Sequence, residues 1–107
     1  MNISNEAQLR AEATRGQRAM ELLENELLIE AFTVLDERLT DALNDLPDGD
    51  RDKVKNQLEK LWMMRKLLKS LREHIGDVVT TGKMASLKLE QNRTLAQRFK
   101  ESLENLY

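Results

Sequence analysis

The sequence predicts an all-α protein: a long antiparallel helical hairpin with a C-terminal helix, coiled-coil-like in character and oligomeric. Three observations carry that expectation. Charged residues make up 34% of 107 residues, aromatics 4%, and there is one proline; this is the profile of a long-helix protein rather than a sheet protein. The stretch Leu22 to Leu46 carries more apolar surface than one packing neighbour needs. The run Leu46-Pro47-Asp48-Gly49-Asp50 reads as a short turn between two helical patterns of similar length.

The chain is expected to form one domain over residues 1–107. Residues 1–16 are polar, and Gly16 would cost about 1 kcal/mol inside a helix. A polar N-terminal arm, extended or loosely helical and ordered only by packing, is expected there. A first helix is expected over residues 17–46. With Leu35 as origin and about 100° per residue, Leu28, Ala31, Phe32, Leu39, Ala42 and Leu46 fall within about 60°. Leu27, Val34 and Leu43 widen the stripe to roughly 180°, where one partner needs about 100°. Two helices are therefore expected to cover it, the second from this chain or from another copy.

Pro47 cannot continue a helical ladder and biases Leu46 away from helical torsions. Gly49 tolerates positive φ, and Asp50 is a good N-cap for the helix that follows. That second helix is expected over residues 51–79. Val54, Leu58, Met64, Leu68, Ile75 and Val79 lie within about 60° of Leu61, forming its seam. Arg65 and Arg72 fall inside the same arc, where acidic groups of the first helix are their natural partners. Trp62, Met63 and Leu67 lie off the stripe and mark a second apolar surface. Thr80-Thr81-Gly82 is expected to end this helix, with Gly82 as a left-handed cap. A C-terminal helix is expected over residues 83–107. Its face, with Met84, Leu95, Phe99, Leu103 and Leu106, is interrupted by Lys88, Gln91 and Ser102.

Net charge is −2, unevenly placed. Residues 21–50 carry −9 and residues 51–79 carry +4, while the first 20 and last 28 residues carry +1 and +2. An acidic helix beside a basic one accounts for this pattern; an acidic face that mimics or avoids a polyanion is the sharper alternative. A pI near 5.5 argues against a dedicated nucleic-acid binder, but not against local phosphate contact. Cysteine is absent, which removes disulfides, thiolate metal sites and a cysteine nucleophile. The N-terminal stretch lacks the apolar core of a signal peptide. No apolar run approaches the roughly 20 residues a membrane span needs, so a soluble chain without a membrane partner is expected.

Residues that could carry chemistry are few. His74 stands beside Glu73 and Asp77 without a metal-ligand spacing, and is read as a surface residue. The glycines are scattered, so a phosphate-binding loop is not formed. No catalytic, metal or cofactor site is expected, and the chain is read as a non-enzyme. The candidate protein-interface residues are Phe32, Trp62, Met63, Leu67, Leu95 and Phe99. The candidate phosphate contacts are Lys83, Lys88, Arg93, Arg98 and Lys100, without the aromatic interleaving that a nucleic-acid platform uses.

Arg15-Gly16-x-x-Ala19 followed by Leu22 to Phe32 (LLENELLIEAF) resembles a motif of small uncharacterised helical proteins of tailed phages and prophages. Leu61-Trp62, His74-Ile75 and Thr81-Gly82-Lys83-Met84-Ala85 stand where the later part of that pattern would put them. The likeness covers roughly residues 15–90. The pattern often has Pro where this chain has Glu26, which leaves open whether the first helix breaks there. The resemblance implies a product of the head and packaging gene region: a virion component or an assembly accessory, in the virion or host cytoplasm. Its partners would be further copies and other phage structural proteins. The rival expectation is a small helical inhibitor of a host defence or nucleic-acid enzyme, using the acidic face from Glu21 to Asp45.

Overall fold

A computed structural model describes residues 3–47 and 51–106, all of whose regular structure is α-helix: α1 (Ile3–Glu24), α2 (Glu26–Asn44) and α3 (Arg51–Leu106). Among the described residues there is no strand. The all-α expectation is met. The turn features assigned to Asp48, Gly49 and Asp50 lie outside the described residues.

Three boundaries differ from those the sequence predicts. The polar arm is helix from Ile3 onward. It is rich in good helix formers, and its turns are linked by Glu6 with Arg10 (3.2 Å) and Gln8 with Glu12 (3.2 Å). The expected helix over residues 17–46 is broken at Asn25, whose torsions are extended (φ −68°, ψ 121°). Asn25 Oδ1 accepts from the backbone N–H groups of Leu27 (3.0 Å) and Leu28 (3.1 Å), which makes it the N-cap of α2. Its own N–H donates to the Leu22 carbonyl at 3.1 Å, closing α1. The expected stop at Thr80-Thr81-Gly82 does not occur. Thr80 Oγ1 donates to the Gly76 carbonyl (3.1 Å) inside an unbroken α3, and no described glycine has positive φ.

The contacts group into two compact units. One comprises Glu21–Ile75, the antiparallel hairpin of α2 and the first part of α3. As α2 advances from Leu35 and Leu39 to Ala42 and Leu46, its neighbours on α3 fall back from Leu71 and Leu68 to Leu61 and Gln57. Phe32 is buried, while Val54, Leu61, Leu68 and Ile75 are half-buried along the predicted seam. Leu58 and Met64, expected in that seam, are exposed. The expected pairing of Arg72 is present: its Nη2 lies 2.7 Å from Asp36 Oδ2, and its guanidinium sits 4.6 Å from the centre of the Phe32 ring.

The other unit comprises the described residues up to Met20 with those from Gly76 onward. Its interior is made of small side chains: Gly16, Ala19, Gly82 and Ala85 are buried together with Leu9. The two helices cross at Gly16 and Gly82. A Cβ on Gly16 would meet the Gly82 Cα at 2.6 Å, and one on Gly82 would meet the Gly16 Cα at 2.5 Å. Only glycine permits that approach, so Gly82 serves helix packing and not termination. Along α3, positions 54, 61, 68, 75, 82 and 89 recur every seventh residue, and all six are buried or half-buried.

Candidate functional site

Catalytic geometry does not emerge among the described residues. No group of three His, Asp or Glu side chains there could hold a metal ion. His74 is exposed, and Glu73 pairs instead with Lys69 at 3.9 Å. No described helix is long and apolar enough to cross a membrane.

What the chain offers is open apolar surface. Among the described residues the buried hydrophobics are Leu9, Ala19, Phe32 and Ala85, too few to hold a core of the usual kind. In the α2 hairpin, Leu35, Leu39, Met64, Leu67, Leu68 and Leu71 line an open groove with no charged side chain in its walls. Leu67 is 65% exposed and Leu71 51%. Towards the turn the groove continues along Ala42, Asp45, Lys60 and Met64. The reason is the width of the apolar stripe: α2 covers one flank of it with α3 and leaves the other uncovered.

The candidate interface residues divide. Trp62 and Met63 are exposed, as are Leu95 and Phe99 in the other unit, and Leu67 sits in the groove. Phe32 is placed differently, buried within its own hairpin beneath Arg72. Trp62 lies on α3 about 180° around the helix from Leu71, so the two belong to opposite flanks. Sequence reasoning missed Leu35 and Leu71 as open residues, because it placed Leu35 in the middle of a stripe expected to be covered.

The candidate phosphate contacts Lys83, Lys88, Arg93, Arg98 and Lys100 are all exposed on α3. They do not form one strip. At about 100° per residue they point to roughly 0°, 140°, 280°, 60° and 260° around the axis. Helical periodicity alone disperses them.

No known family model matches the chain, and no characterised protein or solved structure was found to be similar to it.

Proposed function

We propose that this chain is a non-enzymatic structural or assembly protein of a tailed phage, acting through helix-mediated contacts with copies of itself and with other phage structural proteins. One observation carries the interaction role: large hydrophobic side chains stand open to solvent in both units. Leu27, Met63 and Leu67 in the hairpin unit and Phe99 in the other are each more than 60% exposed. Surface of this kind is an interaction surface.

The phage context rests on the resemblance over residues 15–90. The start of α2 at Glu26 is compatible with that pattern, because the first helical position is the one that accepts Pro. Mass spectrometry of purified virions and procapsids tests the assignment. Recovery of the chain in fixed ratio to the major capsid protein is the expected result. Its absence from particles, together with tight binding to a host nuclease complex, would replace the assembly role by that of an enzyme inhibitor.

A further inference from the structure

We infer that residues 75–81 of α3 form a hinge: the helix opens there transiently, and the two compact units change their mutual orientation while each keeps its own packing.

The first argument is helix propensity. Ala, Leu, Arg, Met, Lys, Gln and Glu are the residues that favour a helix interior. Residues 66–73 include seven such residues, and so do residues 83–90. Residues 75–82, Ile-Gly-Asp-Val-Val-Thr-Thr-Gly, include none. Two turns of weak helix formers therefore lie inside the 56-residue α3, between stretches that hold a helix well. The β-branched side chains lose χ1 freedom in a helix, and the glycines lose the most backbone entropy. The same composition underlies the local preference for a helix end at Thr80-Thr81-Gly82.

Packing accounts for only part of it. The crossing with Gly16 requires Gly82, and Ile75, Val78 and Val79 are half-buried. Gly76 is different: a Cβ there would meet nothing within 4 Å, and its φ is not positive. Asp77, Thr80 and Thr81 are exposed. At these four positions a stronger helix former would fit, so contacts do not impose the weak ones. Thr80 Oγ1 donates to the Gly76 carbonyl at 3.1 Å, a back-bond of the kind that slightly destabilises and bends helices.

The segment also lies between two anchors. On the hairpin side, Arg72 is tied to Asp36 at 2.7 Å and covers the Phe32 ring. On the other side, Gly82 is locked against the Gly16 backbone. Residues 73–81 between them are exposed or half-buried. The side-chain bonds found in that span stay within α3, Glu73 with Lys69 and Thr80 with Gly76. The division between the compact units falls in the same span, between Ile75 and Gly76. On the other connection it falls between Met20 and Glu21, and there the helix is interrupted four residues on, at Asn25. A hinge needs both connections to yield, because one rigid helix would splint the other. Here both carry a weak point close to the division.

Spin-label distance measurements on the full chain test this, helped by the absence of native cysteine. Lys53, Lys66 and Lys88 are exposed and accept a label. Lys66→Cys with Lys88→Cys brackets the segment, and Lys53→Cys with Lys66→Cys is the control within the hairpin. The bracketing pair should give a distance distribution about twice as wide as the control. Gly76→Ala combined with Thr80→Ala should narrow it to the control width. In amide exchange the same double substitution should slow residues 77–81 by about ten-fold, the factor supplied by its gain in helix propensity. Residues 60–66 should change by less than about two-fold, since they open separately. Equal widths for the two pairs in the wild type would overturn the hinge. Slowing shared equally by both sets of amides would overturn it too, because α3 would then open only as a whole. Neither readout depends on whether the chain is found in phage particles.

Discussion

Gly16→Ala tests the tightest contact in the molecule. Two effects oppose each other. Alanine in a helix interior is favoured over glycine by about 1 kcal/mol. Against that, the new Cβ would meet the Gly82 Cα at 2.6 Å, the Val78 carbonyl oxygen at 3.1 Å and the Gly82 nitrogen at 3.2 Å. All three are backbone atoms, so no side chain can rotate away. The helices must separate by roughly 1 Å to reach ordinary contact, and a gap of that size forfeits a quarter to a half of each neighbouring dispersion contact. Overpacking of this kind costs about 1–3 kcal/mol or more. The net expectation is a loss of about 1–2 kcal/mol. Gly76→Ala is the internal control: its Cβ would meet nothing within 4 Å, so only the propensity gain remains and stability should rise by up to about 1 kcal/mol. Urea unfolding followed by circular dichroism reads both. If Gly16→Ala stabilises the protein as much as Gly76→Ala, the close crossing does not exist. The double variant Gly16→Ala with Gly82→Ala adds a second check. Its cost should fall short of the sum of the singles, because the first substitution has already parted the helices.

Other expectations follow from single contacts. Asn25→Ala removes a side chain that satisfies two backbone donors at the start of α2, and should cost about 1 kcal/mol in urea unfolding; an unchanged midpoint would refute the capping role. Arg72→Ala and Asp36→Ala should couple in a double-mutant cycle, but by no more than about 1 kcal/mol, because each side chain is more than a third exposed. Phe32→Leu should reduce the loss on Arg72→Ala, since the guanidinium over the ring contributes separately from the ion pair. Trp62 is 48% exposed, so Trp62→Ala should leave the helical circular dichroism signal unchanged. Its cost in thermal melts should stay below the ~3–5 kcal/mol of a fully buried aromatic.

The parts legible in the sequence are those set by helical periodicity. The seam through Val54, Leu61, Leu68 and Ile75 follows from spacing alone, and the partner of Arg72 follows from a charged residue inside an apolar arc. The glycines were misread because a local reading sees only the residue and its neighbours. Gly16 and Gly82 look like a breaker and a cap until the facing backbone is known. A signal was present in the small residues beside them, Ala13, Gly16 and Ala19 on one helix with Gly82 and Ala85 on the other. Asn25 was hidden by its surroundings: a strong capping residue inside an uninterrupted Leu- and Glu-rich run does not announce a break. The open groove was half legible. The stripe was seen to be too wide for one neighbour, but its width alone did not say which flank stays uncovered.

The break at Asn25 has an arithmetic origin. On α3 the inward positions keep step every seven residues without interruption through residue 89. On the chain that precedes it, Leu9, Gly16 and Leu23 keep the same step, and so do Phe32, Leu39 and Leu46, all buried or half-buried. From Leu23 to Phe32, however, the step is nine residues, a surplus of two over the repeat. Heptad helices absorb insertions of three or four by local over- or underwinding, but two extra residues swing the stripe by about 200°. In a continuous helix the two triplets would fall about 200° out of step. Asn25 resets the phase, so the gap between the triplets is a frame shift in the packing code, and deleting two residues there would restore a single reading frame from Leu9 to Leu46.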